Sequence, residues 1–160
     1  MKRLILIVLA CTALCIFPQH TSAAALTPKD REYLIRALSS CYPDVGFGGR
    51  VGICAVVLNR MADDRFPDTA ASVIAHFGDG CFSTGGDPDE KVLRLTADAL
   101  DMVLSGADPT GGALYFAVLD DGSPVYDMKF DNSGEKKRLR DVKEGSGGCT
   151  AVMDGIGFYP

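Results

Sequence analysis

The clearest apolar pattern in the chain is the run from Val51 to Met61, where hydrophobic residues recur at helical spacing. The residues that share one face of a 3.6-residue period are Val51, Cys54, Ala55, Leu58 and Met61. This spacing predicts a helix with a buried face. Asn59 and Arg60 then interrupt the apolar run, which predicts a polar turn at the end of the helix.

An earlier helix is predicted to begin at Pro28. Thr27 is suited to cap it, Pro28 to its first position, and Asp30 to the positive end of the helix dipole. The predicted inward stripe consists of Tyr33, Leu34, Ala37, Leu38 and Cys41. The segment that follows, 41–49, is rich in glycine and proline and is predicted to be a connection.

Two more helices are predicted after the central one. Asp68 is the expected cap of a short helix whose inward residues and stop are Val73, Ile74, Phe77 and Gly78. The other begins with Asp87 as cap, Pro88 at the first position and Glu90 completing a capping box. Its predicted stripe and stop are Leu93, Ala97, Leu100, Leu104 and Gly106.

Beyond the fourth helix the pattern changes to that of strands. Two strands, 113–119 and 125–130, are predicted to join at a turn over residues 120–122. A polar loop, 132–148, leads to a last apolar piece, 149–159. Helices that precede strands along the chain predict the α+β class.

The first 25 residues are typical of a secretory signal peptide. Lys2 and Arg3 precede an apolar stretch, 4–17, and small residues follow at 21–25. A membrane anchor is the alternative, but the stretch is short for the ~20 residues that span a bilayer. We therefore expect residues 1–25 to be removed and residues 26–160 to form one secreted or envelope domain without a stable membrane span.

Charge argues against two classes of partner. Removal of Lys2 and Arg3 would shift the net charge from −5 to −7. A protein this acidic is not expected to bind nucleic acid or an anionic membrane surface.

Four cysteines would remain after cleavage: Cys41, Cys54, Cys81 and Cys149. An even number in an exported protein predicts disulfides, with three possible pairings. Their spacing differs from that of a zinc site, and His76 is the one histidine of the mature chain, so no metal is expected.

Four segments in order carry a resemblance to a known family: 55–60 (AVVLNR), 66–69 (FPDT), Phe82-Ser83 and 108–116 (DPTGGALYF). Together they resemble the cell-wall hydrolase family of the spore-cortex lytic enzymes (SleB-type). The resemblance implies a lysozyme-like α+β fold, in which N-terminal helices precede a small antiparallel sheet. It also implies peptidoglycan glycan strands as substrate, cleaved between N-acetylmuramic acid and N-acetylglucosamine, and no cofactor.

The chain departs from the family at the catalytic acid. The family carries a glutamate at the end of the first helix, and an ungapped alignment from Leu34 to Arg60 places Cys41 there. Glycosidic cleavage needs a carboxylic acid to protonate the leaving oxygen, and a thiol with a pKa near ~8.5 is a poor substitute. Ile156 likewise stands where the family usually has a histidine. The resemblance thus implies a peptidoglycan-binding protein that has lost its catalytic acid.

Alternatives remain open. Asp44 lies three residues after Cys41 and could serve as the acid of an active hydrolase or lytic transglycosylase, whereas Glu32 is too far along the helix. Cys41 as a nucleophile would need His76 as its partner, so a structural cysteine is favoured. A third possibility is a regulator of a true hydrolase, with an unknown protein partner.

The family segments nearest the presumed groove contribute Phe82, Ser83 and Tyr115. Aromatic faces and hydroxyl groups suit sugar rings, although Phe82 and Tyr115 could equally be core residues. A disulfide from Cys41 to Cys81 is expected because both residues would border this groove. Cys54 is expected either to stay reduced in the core or to pair with Cys149.

Overall fold

The computed structural model of the protein describes residues 26–75, 87–120, 123–125 and 149–160. Within these ranges the helices are α1 (Pro28–Cys41), α2 (Phe47–Met61), α3 (Ala70–Ala75) and α4 (Glu90–Leu104). The strands are β1 (Tyr115–Asp120), β2 (Ser123–Val125), β3 (Ala151–Met153) and β4 (Ile156–Tyr159). Helices precede strands, and the predicted α+β class is confirmed.

The start of α1 follows from local chemistry, as predicted. The Thr27 hydroxyl accepts a hydrogen bond from the Asp30 backbone N–H (3.1 Å), and the Asp30 carboxylate accepts one from the Thr27 N–H (3.3 Å). This reciprocal pair satisfies two donors that the first turn leaves free. Of the predicted stripe, Leu34, Ala37 and Leu38 are buried. The prediction that Tyr33 faces inward is wrong, because its side chain is exposed.

Two other predicted helix starts are wrong by one or two residues. The cap of α4 is Asp89, whose carboxylate accepts from the Lys91 N–H (2.7 Å), and not Asp87. Both aspartates can cap, so local preference could not choose between them. At α3 the Thr69 hydroxyl, rather than Asp68, accepts from the Ser72 N–H (3.3 Å). The predicted inward residues of α3 after Ala75, and its predicted stop, lie outside the described residues.

The α4 stripe is also corrected in part. Leu100 is buried as predicted, together with Thr96 and Ala99, which the prediction did not include. Leu104 is exposed, whereas its neighbour Val103 packs against the core.

The central helix, α2, begins four residues before the predicted Val51, inside the segment expected to be a connection. It is buried on nearly every side, from Gly49 to Leu58. The glycines of α2 allow side chains of neighbouring segments to pack directly against its backbone. A Cβ at Gly52 would lie 2.2 Å from Phe158 Cζ, and a Cβ at Gly49 would lie 2.7 Å from Val45 Cγ1. Glycines that suggested a loop are therefore contact positions within a helix.

The sheet is antiparallel throughout, in the order β2-β1-β4-β3. The predicted hairpin is present as β1 and β2, although its second strand begins at Ser123 rather than Val125. The last apolar piece is a second hairpin that the prediction did not resolve. Its turn residues, Asp154 (φ 49°) and Gly155 (φ 74°), both have positive φ, as a two-residue hairpin of type I′ requires.

The sheet separates two apolar clusters. The larger fills the space between the helices and one sheet face, and its largest fully buried side chains include Phe158, Leu34, Ile53 and Ile74. The smaller lies on the other face and consists of Leu114, Tyr115, Ala117 and Tyr159, with Phe66 packed against it. Within the described ranges, no helix is long and apolar enough to cross a bilayer.

Candidate functional site

The end of α1 is the position to which the family resemblance assigns the catalytic acid. Cys41 is the last residue of α1 and is partly buried. Tyr42 follows as the C-cap, and its ring meets Phe116 of β1 edge-on, with 5.6 Å between ring centroids. The end of α1 therefore packs against the first strand of the sheet.

A buried arginine holds the turn that follows α1. Arg50, on α2, is only 3% exposed, and its Nη2 donates to the backbone oxygen of Pro43 (2.7 Å). Burial lowers the pKa of Arg50 from its ordinary value, while nearby Cys54 and Asp44 act in the opposite direction. The guanidinium thus ties the backbone just before Asp44 to the central helix.

The same arginine joins a polar cluster beneath the turn. Arg50 Nη1 (3.0 Å) and the Ser39 hydroxyl (2.8 Å) both donate to Thr96 Oγ1, which donates in turn to the Val92 carbonyl (2.9 Å). Thr96 Oγ1 therefore uses its donor and both acceptor sites. The cluster connects α1, α2 and α4, and it therefore ties the end of α1, near Cys41, to the other two helices.

The carboxylates near this end differ in position. Asp44 is exposed to solvent. Glu32, nine residues before Cys41, is about 13 Å away along the helix axis and pairs with Arg36 (3.4 Å). Glu32 is therefore not available at the end of α1, as expected from the sequence.

Asp154 provides the cap for the first turn of α2. Gly46 at the N-cap has no side chain, and the Gly49 N–H donates to Asp154 Oδ2 (2.8 Å) across the fold. A Cβ at Gly46 would lie 2.5 Å from the same oxygen, so the glycines make room for the carboxylate. Sequence reasoning missed this contact, although the Asp-Gly pair and the glycine-rich segment were its signals.

Tyr115, a predicted substrate-binding residue, is 8% exposed and belongs to the smaller apolar cluster. The Arg60 guanidinium carbon lies 5.1 Å from the centroid of its ring and 4.7 Å from that of Phe66. These distances are those of cation–π contacts. The ring therefore has a packing role, and its role in binding stays a prediction. Phe82 and Ser83 lie outside the described residues.

Two of the segments that carry the family resemblance form one structural unit. Asn59 Nδ2 donates to the Ala113 carbonyl (3.1 Å) and to Asp108 Oδ2 (3.3 Å). Burial acts to raise the pKa of Asp108, but hydrogen bonds from Thr110, Gly112 and Asn59 outweigh it and hold the pKa below its ordinary value. Asp108 thus closes the turn before β1 and anchors it to the end of α2.

The cysteines are only partly as predicted. Cys54 is buried in α2 and free, and burial raises the pKa of its thiol to about 12. Cys149 is free and exposed. The alternative pairing of Cys54 with Cys149 is therefore wrong, because one sulfur is enclosed by the core and the other faces solvent. The expected partner of Cys41, Cys81, lies outside the described residues. In the ranges that the structure covers, no group of His, Cys, Asp and Glu side chains could hold a metal ion.

Comparison with known proteins places the chain in a family. The profile of the family described as Cell Wall Hydrolase matches residues 46–136. The chain belongs to the cell wall hydrolase family. Its matched range begins directly after the segment 40–45, in which the resemblance places the catalytic acid.

Individual members of the cell wall hydrolase family resemble part of the chain. The spore cortex-lytic enzyme of Halalkalibacterium halodurans is 39% identical over 74 residues, which is 42% of this chain and 21% of that enzyme. The spore cortex-lytic enzyme of Oceanobacillus iheyensis is 36% identical over 76 residues, 44% of this chain and 25% of that enzyme. The match thus spans about a quarter of the length of these relatives or less.

Solved structures share the fold. The crystal structure of the catalytic domain of the Bacillus cereus SleB protein has a TM-score of 0.56 at 22% identity, covering 86% of this chain and 94% of that one. The catalytic domain of the germination-specific lytic transglycosylase SleB from Bacillus anthracis has a TM-score of 0.55 at 21% identity, covering 86% and 98%. The fold expected from the resemblance is confirmed.

Proposed function

We propose that this protein is exported to the cell envelope, binds the glycan strands of peptidoglycan, and cleaves them slowly or not at all. Membership of the cell wall hydrolase family supports peptidoglycan as its target. The signal-like segment 1–25 supports export. The residue at the end of α1 supports the loss of glycan cleavage, because it is not a carboxylic acid.

The residue that carries this proposal is Cys41. It is a partly buried residue at the end of α1, in the place where the family resemblance expects a glutamate. A donor for the glycosidic oxygen should be a carboxylic acid that burial keeps protonated. Asp44, the nearest carboxylate along the chain, is exposed to water instead. Loss of a positioned general acid typically lowers the rate by about 10²–10⁴.

A slow hydrolase or lytic transglycosylase that uses Asp44 is the second candidate. One observation favours it: Arg50 holds the Pro43 carbonyl, so the backbone next to Asp44 has a defined position. A positioned carboxylate is what proton transfer requires.

We also propose a disulfide between Cys41 and Cys81. Cys54 and Cys149 are both free, so these two remain among the four cysteines after residue 25. Such a bridge would hold the end of α1 to the segment before Phe82 and stabilise the fold by about 3–4 kcal/mol. Peptide mapping by mass spectrometry without reductant should find the linked pair. Two alkylatable thiols at Cys41 and Cys81 in protein exported under oxidising conditions would contradict it.

The deciding experiment incubates purified protein with insoluble peptidoglycan sacculi. Protein that sediments with the sacculi measures binding, and soluble muropeptides separated by chromatography measure cleavage. We expect sedimentation with at most a trace of muropeptides. Robust release of anhydro-muropeptides that Asp44→Asn abolishes would establish the second candidate. Absence of sedimentation would refute glycan binding itself.

A matched variant, Cys41→Glu, tests the assignment of the acid position. A glutamate in this partly buried place should have a raised pKa and so supply a proton near neutral pH. Gain of muropeptide release by this variant would support the proposal directly, with Cys41→Gln as the isosteric control that cannot donate as an acid.

A further inference from the structure

Besides Tyr33 on α1, which is 38% exposed, Phe47 is the aromatic residue of the described chain whose ring faces water. It is 39% exposed, whereas Phe116 and Phe158 are buried and Phe66 packs against the smaller apolar cluster. It is the first residue of α2 and lies between Gly46 and Gly48. Neither neighbour has a side chain that could cover the ring.

The backbone that carries Phe47 is held on both sides. Ahead of it, Val45 N donates to the Tyr42 carbonyl (3.4 Å), and Arg50 binds the Pro43 carbonyl. Behind it, Gly49 N donates to Asp154, and Arg50 N donates to the Gly46 carbonyl (3.1 Å). The ring is therefore presented from a fixed segment, which reduces the entropy that a ligand contact would cost.

Asp44 is exposed on the same short segment, three residues before Phe47. Amino sugars present a C–H face on one side and hydroxyl and amide N–H groups around the ring. An aromatic face suits the C–H face, and carboxylate oxygens, which accept hydrogen bonds, suit the hydroxyl and N–H groups. The segment thus offers the two kinds of group that a glycan strand requires.

We propose that Phe47 is a glycan-binding residue on which one N-acetylated sugar of the strand stacks, and that Asp44 accepts a hydrogen bond from the same strand. This inference rests on the proposed binding of peptidoglycan. It assigns to the segment 43–47 the role of a binding platform beside the site that lacks the catalytic acid. Asp44 then serves in binding rather than in proton transfer.

The test compares the affinities of variants for soluble glycan strands, which an amidase releases from sacculi by removing the stem peptides, in isothermal titration calorimetry. Phe47→Ala should weaken binding about fivefold or more, the effect of losing one aromatic contact. Phe47→Tyr should bind like the wild type, and Asp44→Ala should weaken binding. Met102→Ala is the control, because Met102 is similarly exposed (43%) but lies on α4. Thermal midpoints of all variants should agree, since each residue is exposed.

The outcomes separate the two ideas. If wild-type protein does not bind these strands, the proposed function fails and Phe47 has no glycan to bind. If wild-type protein binds the strands and Phe47→Ala binds them equally tightly, glycan binding stands and the assignment of Phe47 is wrong. If Phe47→Leu binds as well as Phe47→Tyr, stacking is refuted, because a side chain without a π face serves equally.

Discussion

Gly52→Ala tests the packing of the central helix more directly than any other single substitution. The added Cβ would lie 2.2 Å from Phe158 Cζ, 2.6 Å from Phe158 Cε1 and 2.8 Å from Met153 Cε. Phe158 is fully buried, so its ring has no space into which it can withdraw. Either α2 or the β3–β4 hairpin must therefore move.

The magnitude follows from two opposing effects. Inserting a methyl group into a packed core costs about 1–3 kcal/mol. Because the contacts at Gly52 are so short, we expect a cost at the upper end of this range. Alanine in a helix interior recovers about 1 kcal/mol relative to glycine. We expect a net loss of roughly 2 kcal/mol in the free energy of unfolding, or a fall of about 5–10 °C in the thermal midpoint.

Urea unfolding followed by circular dichroism measures this loss. Gly48→Ala is the matched control, since its Cβ would lie 3.3 Å from Asp154 Oδ2. The stability of this variant should stay within about 1 kcal/mol of the wild type, because the helix propensity of alanine opposes this milder contact. Phe158→Leu should partly compensate Gly52→Ala in a double-mutant cycle. If Gly52→Ala proved neutral or stabilising, the packing of α2 against β4 described here would be wrong.

Three further outcomes are expected. Asp154→Ala should cost about 1 kcal/mol in urea unfolding through loss of the α2 cap. Asp154→Asn should cost less, because asparagine keeps an acceptor oxygen and tolerates the φ of 49°. Equal losses would contradict this and would show that the cap depends on the charge of the carboxylate. Tyr115→Ala should cost about 3–5 kcal/mol, because the ring is buried; an unchanged thermal midpoint would show that the ring is not core. The free energy of unfolding should fall as pH rises above the ordinary Cys54 pKa of 9.0, because the thiol of the folded protein keeps its proton up to a pKa of about 12 while that of the unfolded chain loses it. Cys54→Ala should remove this part of the pH dependence, and an identical pH profile for the variant would contradict the raised pKa of Cys54.

The parts of the fold that were predictable are those set by neighbours in the sequence. Thr27 and Asp30 stand three residues apart, and their reciprocal hydrogen bonds need no other part of the chain. The position of Cys41 at the end of α1 follows from the same local helix. The turn at Asp154 and Gly155 is equally local, because that residue pair favours a hairpin, but the prediction did not include it.

The start of α2 was not predictable from local signals. Gly48 and Gly49 lower helix propensity, and they are helical because Asp154, more than a hundred residues later, occupies the space that side chains would fill. The burial of Tyr115 likewise depends on tertiary packing and not on local sequence. Residues on both faces of β1 are buried, since each face packs against a different apolar cluster.

The burial of Arg50 illustrates a third limit for the candidate site. A charged residue within a helical segment is normally assigned to its solvent face. Here Thr96 and the Pro43 carbonyl supply acceptors from other elements, so the guanidinium can be enclosed. These hydrogen-bond acceptors come together only when the helices pack, so no pattern in the sequence predicts them.

The closure of α2 by the β3–β4 hairpin has a consequence for the order in which the protein folds. The hydrogen bond from Gly49 to Asp154 joins residues 105 positions apart, and Gly52 rests on Phe158. A nascent chain therefore cannot complete the cap and the packing of its central helix until residues 149–160 are available. Because contacts of such long range slow folding, the part of the chain that precedes this hairpin should remain incompletely folded until the hairpin has been made.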